Sequence, residues 1–160
     1  MSIRLATIAT LTAVLFGPPS IKVEAVTNPA TAPVPGAVFM ITARHHLSTE
    51  GVEVTGRAEG VVAGKRVSRA LTLAPTASAG VYGVTRQWEA GQPWVLVFAV
   101  SSKAHEPGAV AEAVVRLSAA GQVMGIAYPM GKLDSGYPWP RRATAQEVDS
   151  ALAGLVKSNP

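Results

Sequence analysis

The sequence predicts an all-β protein, an immunoglobulin-like antiparallel β-sandwich of about seven strands with a short C-terminal helix. Apolar and polar residues alternate between residues 37 and 128, and Gly or Pro interrupts the alternation about every ten residues. Helical spacing of apolar residues occurs instead near the C-terminus. The 160 residues include 15 Gly and 12 Pro, a composition typical of a chain of strands and turns.

The clearest strand covers residues 51–59, where Val52 and Val54 alternate with polar neighbours. Such alternation is typical of a strand with one buried and one solvated face. The Ala63-Gly64-Lys65 turn follows, and the alternation continues over residues 67–73. We therefore expect these two segments to pair as a hairpin.

The same pattern predicts the other strands. They cover residues 37–44, which we take as the first strand, and then 82–88, 94–100, 109–117 and 123–128. Residues 109–117 are also rich in helix formers, so a helix is an alternative there. The last two segments flank a turn at residues 119–122 and should form another hairpin. We expect the core to contain the aromatic residues Phe39, Tyr82, Trp88, Trp94 and Phe98.

Residues 80–97 carry a resemblance to a known group of domains. Gly80-Val81-Tyr82-Gly83-Val84, followed by Gly91-Gln92-Pro93-Trp94-Val95-Leu96-Val97, resembles a Tyr and Trp hairpin of bacterial extracytoplasmic immunoglobulin-like domains. Domains of the nitrogen-fixation-accessory and copper-resistance types are similar here. The resemblance implies a sandwich over residues 37–128 and implies no particular chemistry.

The N-terminus has the layout of a secretory signal peptide. Arg4 precedes an apolar run over residues 5–16, helix breakers follow at residues 17–19, and small residues come before Ala25. We expect cleavage after Ala25 and a periplasmic or secreted protein with no permanent membrane span, because twelve apolar residues are too few to cross a bilayer as a helix. A buried N-terminal helix is the alternative. Residues 26–36, rich in Pro, Ala and Thr, are expected to form a semi-rigid spacer.

The C-terminal segment, residues 144–158, is predicted to form a helix. Thr144 and Glu147 have the spacing of a capping box. Apolar residues then recur at three- and four-residue steps: Val148, Leu152, Leu155 and Val156. We expect this face to pack on the edge of the domain, with docking of a partner as the alternative.

Residues 129–143 form a loop rich in Pro, Gly and aromatic residues, and this loop is the preferred binding site. Long loops without secondary structure are uncommon and are often functional. The candidate binding residues are Tyr137, Trp139, Arg141 and Arg142, which are of the types enriched where proteins bind one another. Alternatively, Trp139 covers the end of the sandwich and positions the helix.

Copper binding is an alternative function. His45, His46 and His105 are the candidate ligands, because imidazole binds copper(II). Adjacent histidines in a strand point to opposite faces, so His45 and His46 could share a metal only within a loop. The similar copper-resistance domains place a histidine at the mature N-terminus, where this chain would have Val26.

Several function classes lack support in the sequence. The absence of cysteine excludes a disulfide scaffold and cysteine-ligated metal centres. Gly-x-Ser-x-Gly, His-Glu-x-x-His and phosphate-binding glycine loops do not occur. The net charge is +4, but Glu53 and Glu59 interrupt the densest basic cluster, which argues against nucleic-acid binding. We therefore predict a non-enzymatic binding module whose partner is a protein or another envelope component and which needs no cofactor. An enzyme whose site has no sequence motif is a minor alternative.

Overall fold

The computed structural model describes residues 18–45, 49, 51–102 and 109–157. The strands are β1 (Pro19–Ala25), β2 (Ala37–His45), β3 (Val52–Val62), β4 (Lys65–Leu71), β5 (Ala74–Pro75), β6 (Val81–Thr85), β7 (Trp94–Ser102), β8 (Val110–Leu117), β9 (Val123–Ala127), β10 (Met130–Lys132) and β11 (Pro138–Pro140). One helix, α1 (Ala145–Lys157), follows them. The predicted all-β sandwich with a C-terminal helix is confirmed.

Two antiparallel sheets form the sandwich. The four-stranded sheet has the order β1-β2-β6-β5, and the five-stranded sheet has the order β4-β3-β7-β8-β9. In immunoglobulin terms these orders correspond to A-B-E-D and C′-C-F-G, with β9 added beyond G. The predicted immunoglobulin-like arrangement therefore extends to the strand order, and strands β10 and β11 form a separate small hairpin.

Strand β1 lies within the segment predicted as a leader. Its residues pair with β2 in antiparallel register, Val23 opposite Ile41, and the side chain of Val23 is buried. Residues 26–36, predicted as a spacer, connect β1 to β2 in this structure. Cleavage after Ala25 would therefore remove an edge strand of the sandwich. The predicted leader residues 1–17 lie outside the described part of the chain.

In the core between the two sheets, large aromatic side chains on one strand lie opposite glycines on the neighbouring strand. Trp94 lies opposite Gly60 across the β3–β7 pair, and Phe98 lies opposite Gly56. A Cβ added to Gly60 would come within 2.6 Å of the Trp94 ring, so the indole occupies the space that a side chain would need. Of the aromatic residues predicted for the core, Tyr82 is partly buried and four are buried: Phe39, Trp88, Trp94 and Phe98.

The strand prediction over residues 109–117 is confirmed, since β8 is a strand with nearly every residue buried. The segments around Tyr82 and Trp94, in contrast, do not pair with each other as the expected hairpin. Strand β6 pairs with β2 and β5, whereas β7 pairs with β3 and β8. The turn after Trp88 therefore carries the chain from one sheet to the other. Alternation of apolar and polar residues could not predict this crossing, because alternation identifies strands but not the strands they pair with.

Helix α1 packs across the outer face of the five-stranded sheet. Its buried residues contact a matching apolar surface; the cluster contains Val95, Val97, Val114, Val148, Leu152 and Leu155. The predicted capping box is present, with the Glu147 amide donating to Thr144 Oγ1 (3.1 Å) and the Thr144 amide donating to Glu147 Oε2 (2.8 Å). Val156, which we expected on the apolar face, is exposed. In the described part of the chain, no helix combines the length and apolarity that crossing a membrane requires.

Candidate binding surface

The large apolar side chains that remain exposed are concentrated in one stretch of the chain. We call this group the apolar patch; it consists of Val123, Met124, Tyr128, Met130, Leu133 and Tyr137. Within the described residues, Val156 is the one exposed large hydrophobic residue elsewhere. Contiguous exposed apolar surface on a folded domain marks a site of interaction.

The β10–β11 hairpin presents part of this patch. Gly131 lies opposite Trp139, and the Leu133 amide donates to the Tyr137 carbonyl (2.9 Å), which closes the turn. Tyr137 follows the turn with 62% of its surface exposed, whereas Trp139 is half-buried. The segment predicted as an irregular loop is therefore a short hairpin that holds Tyr137 in solvent.

The two predicted arginines have different environments. Arg141 donates to both carboxylate oxygens of Glu147 (2.6 and 2.7 Å) and to the Met130 carbonyl (3.1 Å), so it fastens the hairpin to α1. Arg142 is exposed, and its Nη1 lies 3.9 Å from Oε1 of the buried Glu112. The structure thus brings Tyr137 to the apolar patch but uses Arg141 as an internal connection.

The pairing of Arg141 with Glu147 has an electrostatic consequence. Hydrogen bonds from Arg141 and then from the Thr144 amide lower the pKa of Glu147 from 4.5 to about 2. The same carboxylate raises the pKa of Arg141. Glu147 is therefore an anion at every physiological pH, and the positive charge of Arg141 balances it.

A groove separates α1 from the hairpin. It has a volume of about 740 Å³, with Val114 and Ala127 on its floor, Tyr128 and Met130 on one wall, and Gln146 of α1 on the other. Ligand pockets typically have volumes of this size. A smaller cavity of about 260 Å³, lined by Pro18, Pro19 and Pro140 among others, shares Tyr128 and Met130 with the groove.

Arg116 on β8 also lines the groove and is exposed to solvent. It is paired with Gly125 in the β8–β9 register, and its Nη2 would lie 2.7 Å from a Cβ at position 125. The guanidinium group therefore lies over the glycine of the neighbouring strand. Among the described residues, no carboxylate forms an ion pair with Arg116. Sequence reasoning missed this residue, because its proximity to Gly125 depends on strand register.

The edges of the two large sheets differ in their protection. Strand β4 carries Lys65, Arg66 and Arg69, strand β1 carries Lys22 and Glu24, and β5 has two residues, one of them Pro75. Charged side chains, prolines and short strands are the usual means of preventing unwanted strand pairing. Strand β9, with the sequence Val-Met-Gly-Ile-Ala, has no charged residue and no proline; its one irregularity is a register shift against β8 at Met124.

Other charged residues form structural pairs. Arg57 and Arg66 contact the nearly buried Glu59, and Arg66 also pairs with Asp149 on α1. Glu112 accepts a hydrogen bond from the Ala143 amide (2.8 Å), which anchors the segment before the helix. Most of the basic cluster noted in the sequence is thus matched by acidic partners.

The proposed copper ligands are only partly described. His45 is buried at the end of β2, while His46 and His105 lie outside the described residues. Within residues 18–45, 49, 51–102 and 109–157, no three His, Asp or Glu side chains are grouped closely enough to hold a metal ion.

The apolar patch shares Tyr128 and Met130 with the groove and includes Val123 and Met124 of the edge strand β9. These features combine exposed apolar area, a concave surface and one arginine without an ion-pair partner in the described chain. Comparison of the chain with protein-family models, with curated proteins and with solved structures found no match.

Proposed function

We propose that this protein is an exported, non-enzymatic binding module that presents the apolar patch to a partner protein of the cell envelope. The observation that carries the proposal is the concentration of exposed large hydrophobic residues between Val123 and Tyr137 on a rigid sandwich. Residues such as Tyr and Met contribute strongly to protein interfaces.

Export is supported by the basic start and the apolar run over residues 5–16. Because Pro19–Ala25 forms β1, we further propose that processing leaves this strand on the mature domain. The mature protein would then reside in the periplasm or be secreted.

Binding is favoured over catalysis by the chemistry of the groove. The carboxylate in its wall, Glu147, has a pKa of about 2 and is held by Arg141. A general acid or base works best when its pKa lies near the operating pH. The pKa of Glu147, about 2, is too low for either role at neutral pH, whereas the apolar part of the groove lining beside a sheet edge suits the recognition of a partner.

Site-specific photo-crosslinking in intact cells tests the proposal. A photoreactive amino acid at Tyr137 should yield a discrete crosslinked adduct, because this side chain is 62% exposed within the apolar patch. Lys65 on the charged edge strand β4 is the matched control, since it is also exposed but lies outside the patch.

Replacing Met130 with Gln in the Tyr137-labelled chain should reduce the adduct several-fold while circular dichroism stays unchanged. Adducts of equal yield at positions 65 and 137, or none at position 137, would contradict the assignment.

A further inference from the structure

We propose that strand β9 accepts an extended segment of the partner as an added strand, and that this segment places an acidic side chain opposite Gly125 beside Arg116. The inference rests on the proposed function, because it specifies how the partner meets the same surface. It commits to one occupant, an extended peptide segment with an acidic side chain facing Arg116 and apolar residues at alternate positions.

Within the described residues, strand β9 has no strand paired to its outer edge. Strand β9 pairs with β8 on one side and ends the five-stranded sheet. An edge strand presents unpaired N–H and C=O groups that can pair with another chain, and proteins use this mode to bind extended peptides. The other edges of the two large sheets carry charges, prolines or very short strands. Strand β9 carries none of these, and its one irregularity is a register shift at Met124, before the regularly paired residues Gly125–Ala127.

The strand register determines which side chain of an added strand would lie beside Arg116. Arg116 and Gly125 are opposite each other on β8 and β9, so they face the same side of the sheet. A residue opposite Gly125 on an added strand would face that side as well, about 4.8 Å farther along. Because Gly125 has no side chain, nothing at that position would separate the new side chain from the guanidinium group.

The charge of Arg116 favours an acidic side chain at this position. Arg116 has no ion pair among the described residues, whereas Arg141, the other arginine of the groove, is bound by Glu147. A carboxylate opposite Gly125 would form the charge-assisted hydrogen bonds that guanidinium groups favour. The exposed Val123 and Met124 lie on the same strand and would contact apolar residues of the added segment.

The same charge disfavours a second copy of this chain. Strand β9 contains no acidic residue. If two copies paired through β9 around Gly125, their Arg116 side chains would approach each other, and like charges facing across strands are destabilising. The acidic partner segment is therefore the better match.

Peptide binding to the full chain tests this inference by fluorescence anisotropy. The probe is a labelled eight-residue peptide of alternating Val and Thr with one Glu at a central Thr position, and the comparison peptide has Gln there. We expect the Glu peptide to bind about tenfold more tightly, as one charge-assisted hydrogen bond implies. N-methylation of alternate backbone amides should abolish binding, because it removes the donors that pair with β9.

Arg116→Gln should bind both peptides equally, whereas Arg44→Gln, an exposed arginine of the other sheet, should keep the preference. Arg116→Glu should instead prefer a peptide with Lys at the central position. Equal binding of the Glu and Gln peptides to the natural chain, or a preference that survives Arg116→Gln, would overturn the proposal.

Three further outcomes would also overturn it: no binding of either peptide, Arg116-dependent binding of an acidic oligosaccharide without peptide binding, or dimerisation through β9. If the Tyr137 crosslink persists in any of these cases, the binding function stands and only strand addition fails.

Discussion

At the scale of single residues, close approaches between strands determine which side chains the sandwich tolerates. The Trp94 ring is 1% exposed and fills the space beside Gly60, where an added Cβ would be 2.6–2.9 Å from three ring atoms. Sequence alternation predicted that Trp94 belongs to the core, but it could not predict this contact, because the contact depends on the β3–β7 register.

Gly60→Ala should destabilise the protein by about 2 kcal/mol, since a buried indole cannot move aside without strain. Gly154→Ala is the control: it lies in α1 with no atom within 4 Å of an added Cβ, and should raise stability by roughly 0.5–1 kcal/mol. Urea unfolding monitored by tryptophan fluorescence measures both changes. If both substitutions changed the free energy of unfolding by the same amount in the same direction, backbone propensity rather than the Trp94 contact would determine the effect of Gly60→Ala.

Glu147 provides a residue-scale prediction of pH dependence. Its pKa is about 2 in the folded protein and near 4.5 in an unfolded chain, so the unfolded state binds the proton more readily. The stabilising contribution is complete at neutral pH and is lost as the pH falls from about 4.5 to 2. We expect thermal unfolding scans of the natural chain to show this loss of Tm.

Glu147→Gln should start from a lower Tm at neutral pH and change less over the same acidic interval. Asp134→Asn, which removes an exposed carboxylate with no ion pair among the described residues, serves as the control and should behave like the natural chain. If the Tm of Glu147→Gln fell with decreasing pH as steeply as the Tm of the natural chain, the stabilising role of the Arg141–Glu147 pair would be refuted.

At the scale of elements, local patterns predicted most strands and the cap of α1 correctly. The capping box was predictable, because Thr144 and Glu147 are only three residues apart. The pairing of Arg141 with Glu147 was not, since it requires the β10–β11 hairpin to fold against the helix. The sequence predicts a leader over residues 1–25 from the apolar run and the helix breakers at residues 17–19, and that pattern gives no sign that Pro19–Ala25 pairs with β2.

Removal of β1 should therefore weaken the domain. A chain that begins at Val26 loses the paired strand and the buried Val23 side chain, whereas a chain that begins at Pro18 keeps both. Burial of Val23 alone is worth about 2 kcal/mol. For a domain of this size, that corresponds to a fall in Tm of at least roughly 6 °C. Differential scanning calorimetry of the two chains gives the comparison, and indistinguishable Tm values would mean that β1 is dispensable.

At the scale of the whole molecule, the sandwich separates a stable scaffold from a surface suited to binding. Helix α1 covers the outer face of the central strands, while Val123 and Met124 of β9 and Met130 of the hairpin leave their side chains in solvent. The sequence analysis placed the binding site near Tyr137, which lies in the apolar patch. It did not include Arg116 or β9, because these residues form a site only when register and strand order are known.

The claim that the apolar patch and β9 form the binding surface is tested most directly by hydrogen–deuterium exchange with the partner recovered by crosslinking at Tyr137. We predict that the partner slows amide exchange in β9 and in the β10–β11 hairpin, and leaves exchange in β4 and residues 26–36 unchanged. Slower exchange in β4 or residues 26–36, with β9 and the hairpin unaffected, would contradict the assignment.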